Sequence, residues 1–252
     1  MNTSQDTQLG LLHAISRTVS AKLTLDEILQ ELIGIAVGFT HCDACLVYLL
    51  EPATCSVVLR ASQLPHSAEL GRIRLKLGEG ITGWVAQHKS VAALSRNAFA
   101  DPRFKFFNLL VEDTYHAFLS VPLVSGGELV GVLNVHHRDP RNHSPADIAL
   151  LSFVGEQMGG VIAKSQLAEE NSKLQEKAAD MQDQLETRKL VERAKGILQR
   201  RYELTEEQAY LRLRDESRRT RRPVRELAQV IVAADGLAMG KEAVPTSEAR
   251  SR

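Results

Sequence analysis

The 252-residue sequence has no net charge, few cysteines and no long apolar run. Its 31 basic and 31 acidic residues cancel, so any strongly charged surface must be local. No apolar run approaches the roughly 20 residues of a membrane-spanning helix, so we expect no membrane segment. The N-terminus, Met1-Asn-Thr-Ser-Gln-Asp6, lacks the basic and apolar regions of a secretory signal. The sequence therefore predicts a cytoplasmic protein.

The only cysteines are Cys42, Cys45 and Cys55. The Cys-x-x-Cys spacing of the first two is shared by redox pairs and by half-sites for metals, which Cys55 and His41 would have to complete. Cys45 lies inside an apolar stretch, where cysteine behaves as a small hydrophobic residue, and no second paired motif is present. No Ser-His-Asp arrangement, carboxylate pair or metal-binding helix stands out either. We expect no enzyme activity, no metal and no cofactor.

Positive charge is concentrated between Arg212 and Arg225, where seven of fourteen residues are Arg and two are acidic. The local net charge of +5 is typical of a phosphate-binding surface, which indicates nucleic acid as the partner.

Three helical patterns surround this run. The first helix carries apolar residues at helical spacing, namely Leu185, Leu190, Ala194, Ile197 and Leu198. Thr205 and Gln208 predict a capping box that starts a second helix, with Leu204 packing onto Ala209 and with Ala209, Tyr210 and Leu213 facing inward. Pro223 suits the first turn of a third helix, whose buried stripe is Val224, Leu227, Ala228, Ile231 and Val232. The pattern predicts a three-helix bundle over 185–236.

Four sequence blocks in this region resemble the ANTAR domain, a three-helix RNA-binding module of bacterial antiterminators. They are Arg193-Ala-Lys-Gly-Ile-Leu198, Leu204-Thr-Glu-Glu-Gln-Ala-Tyr210, Leu213-Arg-Asp-Glu-Ser217 and Thr220-Arg-Arg-Pro-Val-Arg-Glu-Leu-Ala228. The resemblance implies binding of RNA with paired hairpins, whose formation excludes a terminator hairpin. The alternative is a DNA-binding transcription regulator that uses the same helices like a helix-turn-helix.

The resemblance points to six RNA-binding residues: Lys195, Gly196, Ser217, Thr220, Arg221 and Arg222. Lysine and arginine supply charge for phosphates, glycine permits close backbone approach, and hydroxyls supply donors and acceptors for loop bases. Further candidates are Arg193, Gln199, Arg200, Arg218 and Arg219, for which a merely solvated helix exterior is the alternative.

Residues 9–164 show a different pattern. The pattern predicts a helix that runs from Leu11 to Ala36 and further helices that begin near Gly78 and Ser144. It also predicts a short extended segment at 90–94 and strands at 44–50, 57–61, 72–76, 116–124 and 129–136. Ser125-Gly-Gly127 is a hairpin signal between the last two strands.

This region resembles a GAF domain, a signal-sensing and small-ligand fold with a central antiparallel sheet. The blocks that carry the resemblance are Gly78-Glu-Gly-Ile-Thr-Gly-Trp-Val-Ala-Gln87, Phe118-Leu-Ser-Val-Pro-Leu-Val124, Leu129-Val-Gly-Val-Leu-Asn-Val135 and Ser144-Pro-Ala-Asp147. The resemblance implies an α+β fold: a GAF sensor over 9–164, joined through a helix to the bundle.

The sequence leaves the sensor's ligand unknown. Asn97-Ala-Phe-Ala-Asp101 departs from the signature of cyclic-nucleotide GAF domains, and the three cysteines are not placed for bilin attachment. Haem stays open through His88 or His116, each of which can equally be a surface or hydrogen-bonded histidine. A small molecule or a partner kinase that acts on the sensor is the expected signal.

Residues 165–190 predict a coiled coil. Its seam residues, alternately four and three apart, are Leu167, Asn171, Leu174, Ala178, Met181 and Leu185. Asparagine at an a-type position fixes the register and favours a parallel two-stranded coil. We expect a parallel homodimer, with a single solvated helix that packs on the sensor as the alternative.

Overall fold

The computed structural model describes residues 10, 12–18, 21, 23–65, 68–106 and 114–241. The chain divides into two compact units, Met1–Glu170 and Asn171–Arg252. Residue 9, where the sensor was expected to start, and Leu11 lie outside the described residues. The predicted α+β class is confirmed, because the first unit is built on a sheet and the second is helical.

A six-stranded antiparallel sheet forms the centre of the first unit. Its strands are β1 (Ala44–Glu51), β2 (Ser56–Ser62), β3 (Arg74–Lys76), β4 (Ala92–Leu94), β5 (Ala117–Ser125) and β6 (Glu128–His137), in the spatial order β3-β2-β1-β6-β5-β4. Gly126 and Gly127 have φ values of 57° and 83°, as the two-residue turn of a tight hairpin requires. The hairpin predicted at Ser125-Gly-Gly127 is therefore confirmed.

Helices cover both faces of the sheet. One face packs against α1 (Leu25–Thr40) and the first part of α3 (Pro145–Tyr202), and the other against α2 (Gly80–His88). The single helix expected from Leu11 to Ala36 is wrong, since α1 starts anew after Thr24. Thr24 and Glu27 form a capping box there, which satisfies two backbone N–H groups that would otherwise lack partners.

The start of α3 packs closely on β5. Leu151, Val154 and Met158 are fully buried, and a Cβ at Gly159 would lie 2.2 Å from the carbonyl oxygen of Val124. Although the sequence predicts no membrane segment, α3 contains a stretch that by length and composition could cross a membrane, and a third of that stretch (33%) is buried. A helix that packs on a soluble core has the same composition.

The second unit contains the end of α3, α4 (Glu206–Thr220) and α5 (Val224–Lys241). Its core combines Leu198, Ala209 and Leu213 with the partly buried Val191, Leu204, Val224, Leu227 and Ile231. The capping box of Thr205 with Gln208 is confirmed. Tyr210, expected to face inward, is 47% exposed. The apolar face of α4 is narrow, and Tyr210 lies about 100° around the helix from Ala209.

Candidate nucleic-acid interface

The corner between α4 and α5 is held by its own polar side chains. Arg221 ends α4 in the left-handed conformation at φ 54°, and its N–H donates to the carbonyl oxygen of Ser217. The Ser217 hydroxyl donates to the carbonyl oxygen of Arg222 at 2.6 Å, and the Thr220 hydroxyl donates to that of Glu216 at 2.7 Å. Both hydroxyl protons are therefore used internally, and each oxygen keeps its capacity to accept from a ligand.

Most arginines of the basic run have acidic partners. The pairs are Arg214 with Asp215 at 3.0 Å, Arg219 with Glu216 at 2.6 Å, Arg222 with Glu226 at 3.1 Å, and Arg225 with Asp183. Among the described residues, Arg218 and Arg221 have no such partner, and both are exposed. These two guanidinium groups are the open cations of the corner, whereas the exposed pairs could exchange a carboxylate for a phosphate at little cost.

Arg225 ties the start of α5 to α3. It pairs with Asp183 and lies 3.9 Å from Glu186. If Leu174 is at a d position and Asn171 at an a position of the heptad, Asp183 and Glu186 fall on f and b positions, on the outer side of the helix. The bundle therefore packs on the back of α3 and leaves the seam uncovered.

Lys195 is enclosed by two carboxylates. Its side chain is 9% exposed, and its Nζ lies 2.7 Å from Glu206 Oε1 and 3.0 Å from Glu192 Oε1. The hydrogen bonds with Glu206 and then Glu192 raise the pKa of the Lys195 ammonium. The structure thus differs from the expectation that Lys195 contacts phosphate, because its ammonium lies between two carboxylates. Glu192 precedes Lys195 by one helical turn, and Glu206 begins α4.

Arg193, Gly196 and Arg200 share one face of α3. A Cβ added at Gly196 would meet nothing within 4 Å, so no packing inside the chain requires glycine there. A glycine inside a helix lowers stability by about 0.5–1 kcal/mol relative to alanine. Packing inside the chain therefore does not explain why glycine occupies position 196. Arg200 lies 3.6 Å from Asp235 and Gln199 is half-buried, whereas Arg193 is exposed and has no acidic partner among the described residues.

The six residues of the predicted coiled-coil seam are exposed to solvent. Leu167 is 67% exposed, Leu174 57%, Met181 69% and Leu185 47%. Asn171 and Ala178 are exposed as well. The parallel homodimer through this seam stays a prediction.

Of the histidines and cysteines singled out in the sensor, Cys42 and Cys45 lie within hydrogen-bonding distance of each other, and the histidines contact other groups. His88 Nδ1 is 2.9 Å from the carbonyl oxygen of Trp84, and His116 Nδ1 is 3.2 Å from Asn97 Oδ1. Cys42 and Cys45 are buried as free thiols, and Cys55 is exposed. In the part of the chain that the structure describes, no three His, Cys, Asp or Glu side chains are grouped to hold a metal.

Sequence reasoning missed a set of buried polar groups on β5 and β6. Ser120 donates to Asn134 Oδ1 at 2.6 Å, and Asn134 donates to the Thr82 hydroxyl at 2.8 Å. His136 is buried too, and its Nε2 has no partner among the described residues. Burial lowers the pKa of His136 to about 3, with a smaller contribution from His137. The available signal was the pair of polar residues, 134 and 136, on one face of an apolar strand.

Comparisons with known proteins agree with this division. The GAF domain profile matches residues 24–162 and the ANTAR domain profile matches residues 179–232. The chain is 29% identical over 189 residues to the Nif-specific regulatory protein of Azotobacter vinelandii, covering 71% of this chain and 34% of that protein. It is 28% identical over 159 residues to a phosphoenolpyruvate-dependent phosphotransferase system protein of Escherichia coli, covering 63% of this chain and 21% of that protein. The chain thus spans about a third and a fifth of these two relatives.

Two solved GAF domains are similar to this chain. That of an Acinetobacter phosphoenolpyruvate-protein phosphotransferase has 26% identity and a TM-score of 0.58, covering 66% of this chain and 96% of its own. The GAF domain of a Coxiella burnetii phosphoenolpyruvate-protein phosphotransferase has 27% identity and a TM-score of 0.59, covering 64% of this chain and 95% of its own. Both domain types in this chain are regulatory. The resemblances are confirmed: the chain belongs to the GAF family and joins a sensory GAF domain to an ANTAR domain.

Proposed function

We propose that this protein is a signal-responsive transcription antiterminator, which binds RNA with paired hairpins and so prevents a terminator hairpin from forming. The observation that carries the proposal is an ANTAR domain whose α4–α5 corner presents Arg218 and Arg221 without acidic partners among the described residues. No catalytic step is part of this proposal, and we place the protein in the cytoplasm, where nascent RNA is made.

The corner suits hairpin loops better than a uniform duplex. Arg218 and Arg221 can neutralise phosphates, and the acceptor oxygens of Ser217 and Thr220 stand beside them to receive base N–H groups. Arg193 and Gly196 on α3 add an open cation and a position of close approach. Unpaired loop bases expose the edges that such groups read, whereas the deep groove of duplex RNA hides them.

We further propose that two chains pair through the exposed seam in a parallel coiled coil. Burying Leu174, Met181 and Leu185 against their equivalents removes apolar surface from water, which favours association. The Arg225 contacts on the opposite side of α3 leave room for this pairing. A dimer presents two RNA modules, so two hairpins on one RNA bind with a raised effective concentration.

The sensor is proposed to gate RNA binding in response to a small molecule or a partner kinase. The helix α3 starts in the sensor fold and ends in the ANTAR domain, so a shift at its start can alter the coil. The signal must favour one of two states of the dimer, by about 1 to 3 kcal/mol for ordinary allosteric coupling. If a variant that lacks residues 1–160 binds RNA no differently from the full chain, with and without cell extract, gating is excluded.

A titration with three ligands tests the proposed function. Full-length protein is titrated with a two-hairpin RNA, with the same sequence as duplex DNA, and with the RNA after its loops are scrambled. We expect the two-hairpin RNA to bind most tightly and the scrambled loops to bind weakly. Preference for duplex DNA would instead support a DNA-binding regulator, and absence of binding to all three would exclude a nucleic-acid role.

A further inference from the structure

The end of α3 carries an aromatic ring with an arginine guanidinium over it. Tyr202 is the last residue of α3, and the guanidinium carbon of Arg212, on α4, lies 4.2 Å from the centre of its ring. Tyr202 is 47% exposed and Arg212 is exposed, so the pair lies on the surface. Neither residue belongs to the core of the bundle, which is built from Leu198, Ala209 and Leu213 with their neighbours.

The pair is continuous with the candidate RNA surface. Arg212 and Arg219 are seven residues apart on α4, so they share one face and lie about 10 Å apart along the helix axis. Arg219 is therefore the candidate RNA-binding residue that shares a face with the pair, whereas Thr220, at the end of α4, lies about 80° further around the helix. A strand of RNA that contacts the corner can therefore extend along this face to reach the pair. The span of about 10 Å is comparable to a few nucleotides of single-stranded RNA.

We propose that the Tyr202–Arg212 pair is a stacking site for one unpaired base of a hairpin loop. The planar guanidinium lies over the ring, and the base adds to this stack as a further flat layer. Aromatic rings and guanidinium planes are the groups on which proteins stack unpaired bases, and Arg212 adds a positive charge close to the phosphates. This inference rests on the proposed RNA binding and adds a base-contacting site to it.

Tyr210 provides a matched control within the same module. Tyr210 is 47% exposed, the same as Tyr202. It precedes Arg212 by two residues and therefore lies about 200° around α4 from it, on the opposite face. Tyr202→Leu and Tyr210→Leu therefore remove equally exposed rings, and only the first removes the stacked pair. Tyr202→Phe keeps a ring, and Arg212→Lys keeps the charge but loses the planar group.

The probe is a two-hairpin RNA enriched by full-length wild-type protein from a pool with randomised loops. Affinity is measured for the wild type and the four variants, with a thermal melt of each. If the wild type enriches no RNA, the proposed function itself fails. If it does, we expect Tyr202→Leu and Arg212→Lys to weaken binding about 10-fold, a typical loss for one stacked base. Tyr210→Leu and Tyr202→Phe should remain within about 2-fold, and the salt dependence of Tyr202→Leu should match the wild type.

A second measurement needs no variant, and so holds if Tyr202→Leu does not fold. The loop uridines of the enriched RNA are replaced by 5-iodouridine, and the wild-type complex is cross-linked by light and mapped by mass spectrometry. A cross-link at Tyr202 supports the site. Cross-links confined to other residues, or equal losses of affinity for Tyr202→Leu and Tyr210→Leu, would overturn it.

Discussion

Lys195 Nζ lies 2.7 Å from Glu206 Oε1, and this contact joins α3 to the first residue of α4. The lysine of the Ala-Lys-Gly block therefore holds two helices of the ANTAR domain together. Two residues earlier, Arg193 is exposed and has no acidic partner among the described residues. Two cations in the same turn of α3 thus differ, since Lys195 lies between carboxylates and Arg193 is open to solvent.

This difference predicts opposite effects of two matched substitutions. Lys195→Met should lower the melting temperature of the ANTAR domain, because it leaves Glu192 and Glu206 facing each other without their shared cation. It should leave the salt dependence of RNA affinity unchanged. Arg193→Met should leave the melting temperature unchanged and reduce the slope of log affinity against log salt by about 1, as the loss of one phosphate contact does. A reduced slope for Lys195→Met would instead make Lys195 a phosphate contact.

Arg221→Gly separates charge from backbone conformation at the corner. Arg221 has φ 54°, which glycine adopts without strain, so the substitution should keep or slightly raise stability. RNA affinity should fall by roughly 1 to 3 kcal/mol for the lost contact. Arg214→Gln, which removes an arginine paired with Asp215, is the control and should have a smaller effect. Equal affinities for wild type and Arg221→Gly, measured on the two-hairpin RNA, would remove the corner from the RNA-binding surface.

Leu174→Asp should dissociate the dimer, since it places a charge at a d position of the seam. Ala179→Asp adds the same charge at an exposed b position of the same helix and should remain dimeric. Sedimentation over micromolar concentrations measures both. The Leu174→Asp variant should also lose more affinity for two linked hairpins than for a single hairpin. A monomeric wild type would rule out the coiled coil.

Acid should destabilise the sensor through His136. Its pKa is lowered to about 3 in the folded chain, from an ordinary value of 6.5, because the imidazole is buried. Above pH 6.5 both folded and unfolded forms are neutral at this residue and its effect is absent. As the pH falls below 6.5 the unfolded chain binds a proton that the folded chain does not, so stability is lost progressively down to about pH 3.

Thermal melts of the sensor at several pH values between about 7.5 and 4 measure this effect. His136→Leu should flatten the fall in melting temperature, whereas His13→Leu, at an exposed position, should leave it as in the wild type. Parallel curves for wild type and His136→Leu would mean that other groups cause the acid sensitivity.

Local patterns made much of the fold predictable. The Thr205–Gln208 capping box, the Gly126–Gly127 turn and the apolar spacing of α3 to α5 each lie within a few residues of sequence, and the structure contains all of them. The break before α1 was missed, because apolar residues continue on both sides of it while the capping box at Thr24 starts a new helix.

The candidate site was less predictable, because its electrostatics depend on residues from different elements. The sequence gives no direct sign that Glu206 encloses Lys195, that Arg225 reaches Asp183 or that Arg212 stacks on Tyr202. A net charge of +5 over fourteen residues indicated the right region. It overstated the number of open cations, since most of those arginines lie beside carboxylates.

Transcription through a terminator in vitro tests antitermination by this chain most directly. The template carries two hairpins with loops that the protein binds, the second overlapping a terminator, and read-through is measured as full-length protein is added. We expect read-through to rise with wild-type protein, and with the signal if gating requires one, and to stay at the basal level with Arg221→Gly. Tight binding of the two-hairpin RNA without any rise in read-through would contradict a role in antitermination.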